Sequence, residues 1–356
     1  MSQWWSLVFA NSLDYARLTG GFVYNTRLMR ELAARGWEIE PLDLPAGFPR
    51  PDDEAKARSV HLLSALPEGM LVVADQICFS PLADQLAREA QRLRLVLIFH
   101  HPIAMEEGLP ADERARFMAV ERAALACCRV VVVTSRTTAD TLIADYSVPE
   151  ERIVVALPGI DRPEVMPPPE EAIPRLLSVG AVIPRKGYHD LVEALAGLQH
   201  VPWSLGIVGD LDRAPDYVAR LRAMIRDAGL EGRVVFRGGI APFELDAEWR
   251  AAHAYVTASL HEGYGMAVAE AIARGIPTVT TGADAVREWL DPSAALIVPE
   301  RASEALRAAL SRVLTEPLLR SALRAAALAQ AARFPSWSDA AAAVDERLRD
   351  LQEQNP

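Results

Sequence analysis

The sequence predicts two doubly wound α/β domains in tandem. Three observations carry this. Short apolar runs alternate with helix-spaced segments along nearly all of the 356 residues. The alternation occurs in two series separated by a proline-rich stretch. The length is enough for two ordinary cores.

In the first series, apolar runs fall at 7–10, 37–42, 71–74, 93–99, 130–134 and 153–156. In the second they fall at 175–179, 204–208, 233–236, 254–257, 278–280 and 295–298. Many of these runs do not alternate with polar residues, as expected of strands buried on both faces of a parallel sheet. Segments such as 24–34, 81–93, 113–126 and 216–229 have helical spacing, and strand–helix alternation implies parallel sheets covered by helices. Between the series, Pro163, Pro167, Pro168, Pro169 and Pro174 remove backbone donors and favour an extended linker. The expected domains are therefore 1–165 and 166–335, with a tail, 336–356, that contains Trp337 and an amphipathic helical pattern over 339–351.

Composition excludes several classes. The net charge is −11 and neither half has a basic surplus, which argues against nucleic acid as the main partner and gives no support to docking on anionic lipid. No uninterrupted apolar run is long enough to span a membrane. The first residues lack a basic leader and read as a strand. Cys78, Cys127 and Cys128 have no metal-ligand spacing and read as buried free thiols, consistent with a cytoplasmic location.

The richest stretch is LHEGYGMAVAEAIARGIPTVTT, residues 260–281. Gly263 and Gly265 leave backbone N–H groups able to approach an anion at a helix N-terminus. Glu262 lies before that helix, whereas Glu270 lies too deep in it to be a cap. A carboxylate beside an anion site is unfavourable unless it holds something else, such as sugar hydroxyls. A second stretch, 176–195, places Arg185 and Lys186 between a strand end and a helix beginning near Gly187. A guanidinium fork and an ammonium there suit a diphosphate. Asp210 and Asp212 form a D-x-D triplet after another strand, but the cations already supply the charge a metal would bring, and no metal is expected.

Glu262-x7-Glu270, with its flanking glycines and Gly275-x-Pro277, resembles the signature of retaining glycosyltransferases of family 4. The Gly180…Arg185-Lys186-Gly187 stretch resembles that family's motif after the first strand of the second domain. The resemblance implies the GT-B fold, two Rossmann-like doubly wound domains facing each other across a cleft, with the N-terminal domain binding the acceptor, the C-terminal domain binding the donor, and the terminal helix crossing back to the first domain. It implies transfer of a hexose from a nucleoside diphosphate sugar, carrying UDP or GDP, with retention and without a metal or other cofactor.

The roles it implies are specific. Arg185 and Lys186 stabilise the leaving diphosphate, which itself assists the incoming hydroxyl. Glu270 accepts from the ribose hydroxyls. Glu262 and the amides of Gly263, Tyr264, Gly265 and Met266 hold sugar hydroxyls or phosphate. A glycine-rich loop at Gly20 and Gly21, before a helix over 23–35, approaches the donor. His100, or His101 beside it, contacts the transferred sugar at the end of the fourth strand; adjacent side chains point to opposite faces, so the pair is a poor metal site. Ser135 fits an N-cap as well as a ligand contact, and Asp161 a turn in which Pro158 departs from the family pattern. The loop 237–240 resembles the cover over the nucleotide base.

The acceptor stays open among lipid, glycan and small metabolite. Alternatives on the same fold are a nucleotide-sugar epimerase or hydrolase and a non-catalytic nucleotide-sugar binding protein. An NAD-dependent dehydrogenase is disfavoured because no G-x-G-x-x-G follows the first strand.

Overall fold

The computed structural model describes residues 5–12, 19–165 and 173–353. The middle of the proline-rich linker and the segment just before Thr19 lie outside the described residues. The chain divides into two compact units, 1–159 with 335–356, and 160–334.

The first unit is built on a six-stranded sheet of β1 (Trp5–Ser12), β2 (Trp37–Leu44), β3 (Leu71–Asp75), β4 (Arg94–Phe99), β5 (Val130–Val133) and β6 (Ile153–Val155). Its order is β2-β1-β3-β4-β5-β6, all pairs being parallel. Every residue of β3, β4 and β5 is buried, which is why these segments read as continuous apolar runs. The helix Trp337–Glu353 belongs to this unit, where Trp37 Nε1 donates to Asp345 Oδ1 at 2.7 Å. Gly159 is required by this packing: a Cβ there would lie 2.1 Å from the backbone nitrogen of Trp337.

The second unit has its own six-stranded parallel sheet, formed by β7 (Arg175–Val179), β8 (Ser204–Val208), β9 (Val234–Gly238), β10 (Ala254–Thr257), β11 (Thr278–Thr280) and β12 (Ala295–Ile297). The order is β12-β11-β10-β7-β8-β9. Side-chain alternation divides its core in two. Leu176, Leu205, Ile207 and Val256 face one helical layer, whereas Leu177, Val208 and Tyr255 face the other. Adjacent residues of a strand, such as Leu176 and Leu177, can therefore both be apolar.

Both sheets are doubly wound, as the alternation predicts. In the first, the winding direction reverses between β1 and β3; in the second, between β7 and β10. Open sheets of this type bind ligands outside the carboxyl ends of the strands at such a reversal. Two local expectations are corrected. Gly20 and Gly21 are not a loop: they open the helix Gly20–Ala34, because the Thr19 hydroxyl accepts from Phe22 N at 3.2 Å and caps it there. Cys127 is partly exposed, while Cys78 and Cys128 are buried free thiols. Among the described residues, no helix is long and apolar enough to cross a membrane.

Candidate donor site and histidine cluster

Because β7 and β10 are parallel neighbours, the loops that follow them leave from the same sheet edge, at the reversal. After β7 the chain passes Gly180 to a single turn of 3-10 helix, Pro184–Lys186, and then to the helix Tyr188–Ala196. After β10 it passes Ser259–Gly265 and enters the helix Met266–Ala273. The two loops are joined by backbone: Leu260 N donates to Arg185 O at 2.8 Å. Gly187 makes this approach possible. Its φ is +63°, and a Cβ there would lie 2.0 Å from the carbonyl oxygen of Ala258.

Three of the four charged residues singled out from sequence meet here. Lys186 Nζ donates to Glu262 Oε1 at 2.6 Å, and Arg185 Nη1 lies 3.8 Å from Glu262 Oε2. Arg185 Nη1 also donates to the carbonyl of His261 at 2.6 Å. These side chains are only 9–17% exposed. Burial alone would raise the Glu262 carboxyl, but the charges of Lys186 and Arg185 and hydrogen bonds from Lys186 and Ser259 outweigh it and hold the group below its usual value. The cluster carries one net positive charge, two cations against one carboxylate, in a partly desolvated site where a phosphate's charge would be strongly felt.

The fourth charge, Glu270, is half-buried further along the helix Met266–Ala273. It shares with Glu262 an influence on Tyr255, whose phenol is pushed up first by burial and then by Glu262, Tyr188 and Glu270. Gly265 caps the helix in the left-handed conformation at φ +87°, and a Cβ there would meet Val286 Cγ2 at 2.5 Å. The Tyr264 side chain turns into the core. It stacks on Trp289 with ring centroids 5.3 Å apart, and its carbonyl accepts from Trp289 Nε1 at 2.8 Å. Only backbone groups of Tyr264 are therefore available to a ligand, and Trp289 fixes their orientation. His261, not singled out from sequence, pairs through Nδ1 with Asp284 at the same edge. Asp210 accepts from the amide of Asp212 at 2.8 Å, closing a local turn. Among the described residues, no group of three or more His, Cys, Asp or Glu side chains is arranged to hold a metal ion.

In the first unit the carboxyl ends of β3 and β4 build a second cluster. His100 Nε2 lies 3.2 Å from both Asn25 Oδ1 and Asp75 Oδ2, and Asn25 Nδ2 donates to Asp75 Oδ2 at 2.7 Å. Asp75 is 1% exposed. The His100 amide donates to Gln76 Oε1 at 2.8 Å, and the Tyr24 ring meets the imidazole edge-on at 5.4 Å. His101 diverges to Glu106, 2.9 Å away. The two histidines thus have separate environments: a buried polar network for His100, a partly exposed contact with a carboxylate for His101. Asn25 and Asp75 were not singled out from sequence; the available signal was an Asp–Gln pair ending the apolar run 71–74. Ser135 acts as an N-cap, accepting from Thr138 N at 3.0 Å. Gly20 and Gly21 lie one turn before Asn25 on the helix Gly20–Ala34.

Comparison with known proteins gives the family. The family model described as "Glycosyl transferases group 1" matches residues 167–330, and that described as "Glycosyltransferase Family 4" matches 71–163. A D-inositol 3-phosphate glycosyltransferase of Xylanimonas cellulosilytica is 27% identical over 94% of this chain and 92% of its own length. An MMP alpha-(1->4)-mannosyltransferase of Mycolicibacterium hassiacum is 26% identical over 76% of this chain and 68% of its own. Among solved structures, a sucrose-phosphate synthase of Thermosynechococcus elongatus superposes with a TM-score of 0.81 at 20% identity, covering 98% of this chain and 99% of its own. Anabaena HepE in complex with UDP and glucose gives 0.78 at 18% identity, covering 97% of this chain and 100% of its own. The chain belongs to glycosyltransferase family 4 and has the GT-B fold.

Proposed function

We propose that the protein is a retaining hexosyltransferase whose donor is a UDP- or GDP-hexose, held by the second unit at the reversal between β7 and β10. One observation carries this reading: Arg185 and Lys186 converge with Glu262 on the loop that leads into the helix Met266–Ala273. On this reading the diphosphate takes Arg185, Lys186 and the amides of Gly263, Tyr264, Gly265 and Met266, a preorganised set of donors aimed at developing negative charge. Glu262 then turns from a counter-ion of Lys186 into an acceptor for sugar hydroxyls, and Glu270 accepts from the ribose. No protein nucleophile is required: the leaving phosphate accepts the proton of the attacking hydroxyl on the face it vacates. His100, fixed by Asp75 and Asn25, contacts the transferred sugar. Gly20 and Gly21 contribute the backbone of a helix start to donor binding.

The relatives named for transfer to D-inositol 3-phosphate put that acceptor first in a panel, followed by glycan and lipid acceptors. The donor is tested by thermal shift with UDP-, GDP- and ADP-hexoses. Stabilisation by one nucleotide sugar beyond its parent nucleotide supports the reading; no shift with any of them overturns it. Product analysis with labelled donor and no acceptor separates transfer from epimerisation or hydrolysis.

A further inference from the structure

The second unit has a second concave site at the opposite edge of its sheet. A cavity of about 210 Å³ opens beside the amino ends of β10 and β11, next to His253 and Pro277. Its charged lining is four arginines, Arg250, Arg274, Arg320 and Arg324, against two carboxylates, Glu164 and Asp246. Among the lining residues that is a surplus of two positive charges, in a chain whose net charge is −11; Glu270 and Asp161, outside the lining, also act on Arg274. Asp246 is already engaged by Arg250, Nε to Oδ2 at 2.7 Å.

Two further donors lie behind this lining. His253 Nδ1 accepts from the backbone of Arg175 at 3.1 Å, so the neutral ring carries its proton on Nε2. Trp249 is 2% exposed, and its Nε1 has no hydrogen-bond partner among the described residues. A buried donor left in this state carries its desolvation cost uncompensated. Arg274 stacks on the Trp249 ring, 5.1 Å from its centroid, and burial lowers its guanidinium from the ordinary value. Arg320 Nη1 is braced by the carbonyls of Val313 and Leu314, which hold the group in place without neutralising it. Walls rich in guanidinium donors select a ligand made of acceptors. The volume falls below the roughly 300–1,000 Å³ usual for drug-sized ligands, so the ligand is compact.

We propose that this cavity binds a phosphate group, as the free ion or as a small phosphomonoester. The site is separate from the donor site, since the length of β10, roughly 13 Å at about 3.3 Å per residue, separates the two sheet edges.

Calorimetric titration with inorganic phosphate against chloride at matched ionic strength tests this. Phosphate could also reach Arg185 and Lys186, so the Arg185→Ala/Lys186→Ala protein is the reference: it is expected to keep saturable phosphate binding. In that background, Arg250→Ala, a change at an exposed side chain, is expected to weaken binding about tenfold, and Trp249→Phe, which removes only the indole donor and part of the ring, several-fold. Hexose 6-phosphate and glycerol 3-phosphate form the second arm. Tighter binding of either ester than of phosphate identifies an esterified ligand, and tighter binding of phosphate identifies the free ion. Loss of all saturable binding with Arg185 and Lys186, or binding indifferent to both Arg250→Ala and Trp249→Phe, overturns the proposal.

Discussion

Lys186 Nζ lies 2.6 Å from Glu262 Oε1, and this contact ties the loop after β7 to the loop after β10 at the point where the second sheet reverses its winding. Glu262 occupies a cation that the donor diphosphate is proposed to take. Binding a nucleoside diphosphate therefore competes with an internal ion pair. Glu262→Gln removes the competitor while keeping a hydrogen-bonding side chain. Calorimetry is expected to show UDP or GDP bound several-fold more tightly by this variant, and donor turnover reduced, because the amide accepts more weakly from sugar hydroxyls. Weaker nucleotide binding would mean that Glu262 supports the diphosphate site rather than competing for it.

Gly187 has no room for a side chain. Its φ of +63° and the 2.0 Å gap from a Cβ to Ala258 O mean that Gly187→Ala must separate the two loops. The backbone conformation alone costs on the order of 1–3 kcal/mol for a non-glycine residue. Chemical denaturation is expected to show a loss of at least that size, accompanied by weaker donor binding. An alanine variant with unchanged stability would mean that the loops tolerate displacement.

Asp75 acts on His100 through a buried network, so it is a positioning residue. Asp75→Asn keeps the volume and an acceptor for the Ile77 amide, which Asp75 now caps at 2.9 Å. It removes the charge that orients the imidazole. Turnover is expected to fall roughly 10- to 100-fold, the scale of a small misplacement at a reacting centre. Affinity for the free nucleoside diphosphate should stay within about twofold, because the nucleotide is assigned to the other unit. A change confined to KM, with kcat intact, would assign His100 to binding alone.

Glu121 provides a pH test in the same unit. It is fully buried, accepting from Ile103 N at 2.6 Å and from the Tyr146 hydroxyl at 2.9 Å, and burial raises its carboxyl to about 7 despite these bonds. A carboxyl raised in the folded state favours the proton there, so its stabilising contribution is complete below the unfolded value near 4.5 and is lost as pH rises through about 7. The displacement corresponds to roughly 3 kcal/mol. Urea unfolding between pH 5 and 8 should show this decline in the wild type, and Glu121→Gln should flatten it. Parallel pH profiles for the two proteins would remove Glu121 as the cause. Ile103 follows His100-His101-Pro102 directly, so the same titration bears on the loop that carries the histidines.

The strands were legible because parallel strands covered on both faces have few polar positions. Leu176 and Leu177 pack in different cores and so are both apolar. The cations and carboxylates of the second unit were individually legible from their places at strand ends and helix starts. Their direct pairing was not, because 76 residues separate Lys186 from Glu262 and only the strand order brings their loops together. The start of the helix at Gly20 was missed because two glycines resemble a loop unless the Thr19 cap is weighed against them. Asn25 and Asp75 were missed for a different reason: a single polar residue ending an apolar strand resembles a turn, and its partnership with Asn25 spans 50 residues.

The central claim is that Arg185 and Lys186 stabilise a departing diphosphate. Its most direct measurement is acceptor-independent breakdown of the cognate nucleotide sugar by Arg185→Ala and Lys186→Ala proteins, followed by nucleotide release at saturating donor. Each change is expected to slow release by the equivalent of about 2–4 kcal/mol, the scale of losing one preorganised donor to a developing negative charge. Release at the wild-type rate in both variants would contradict the claim.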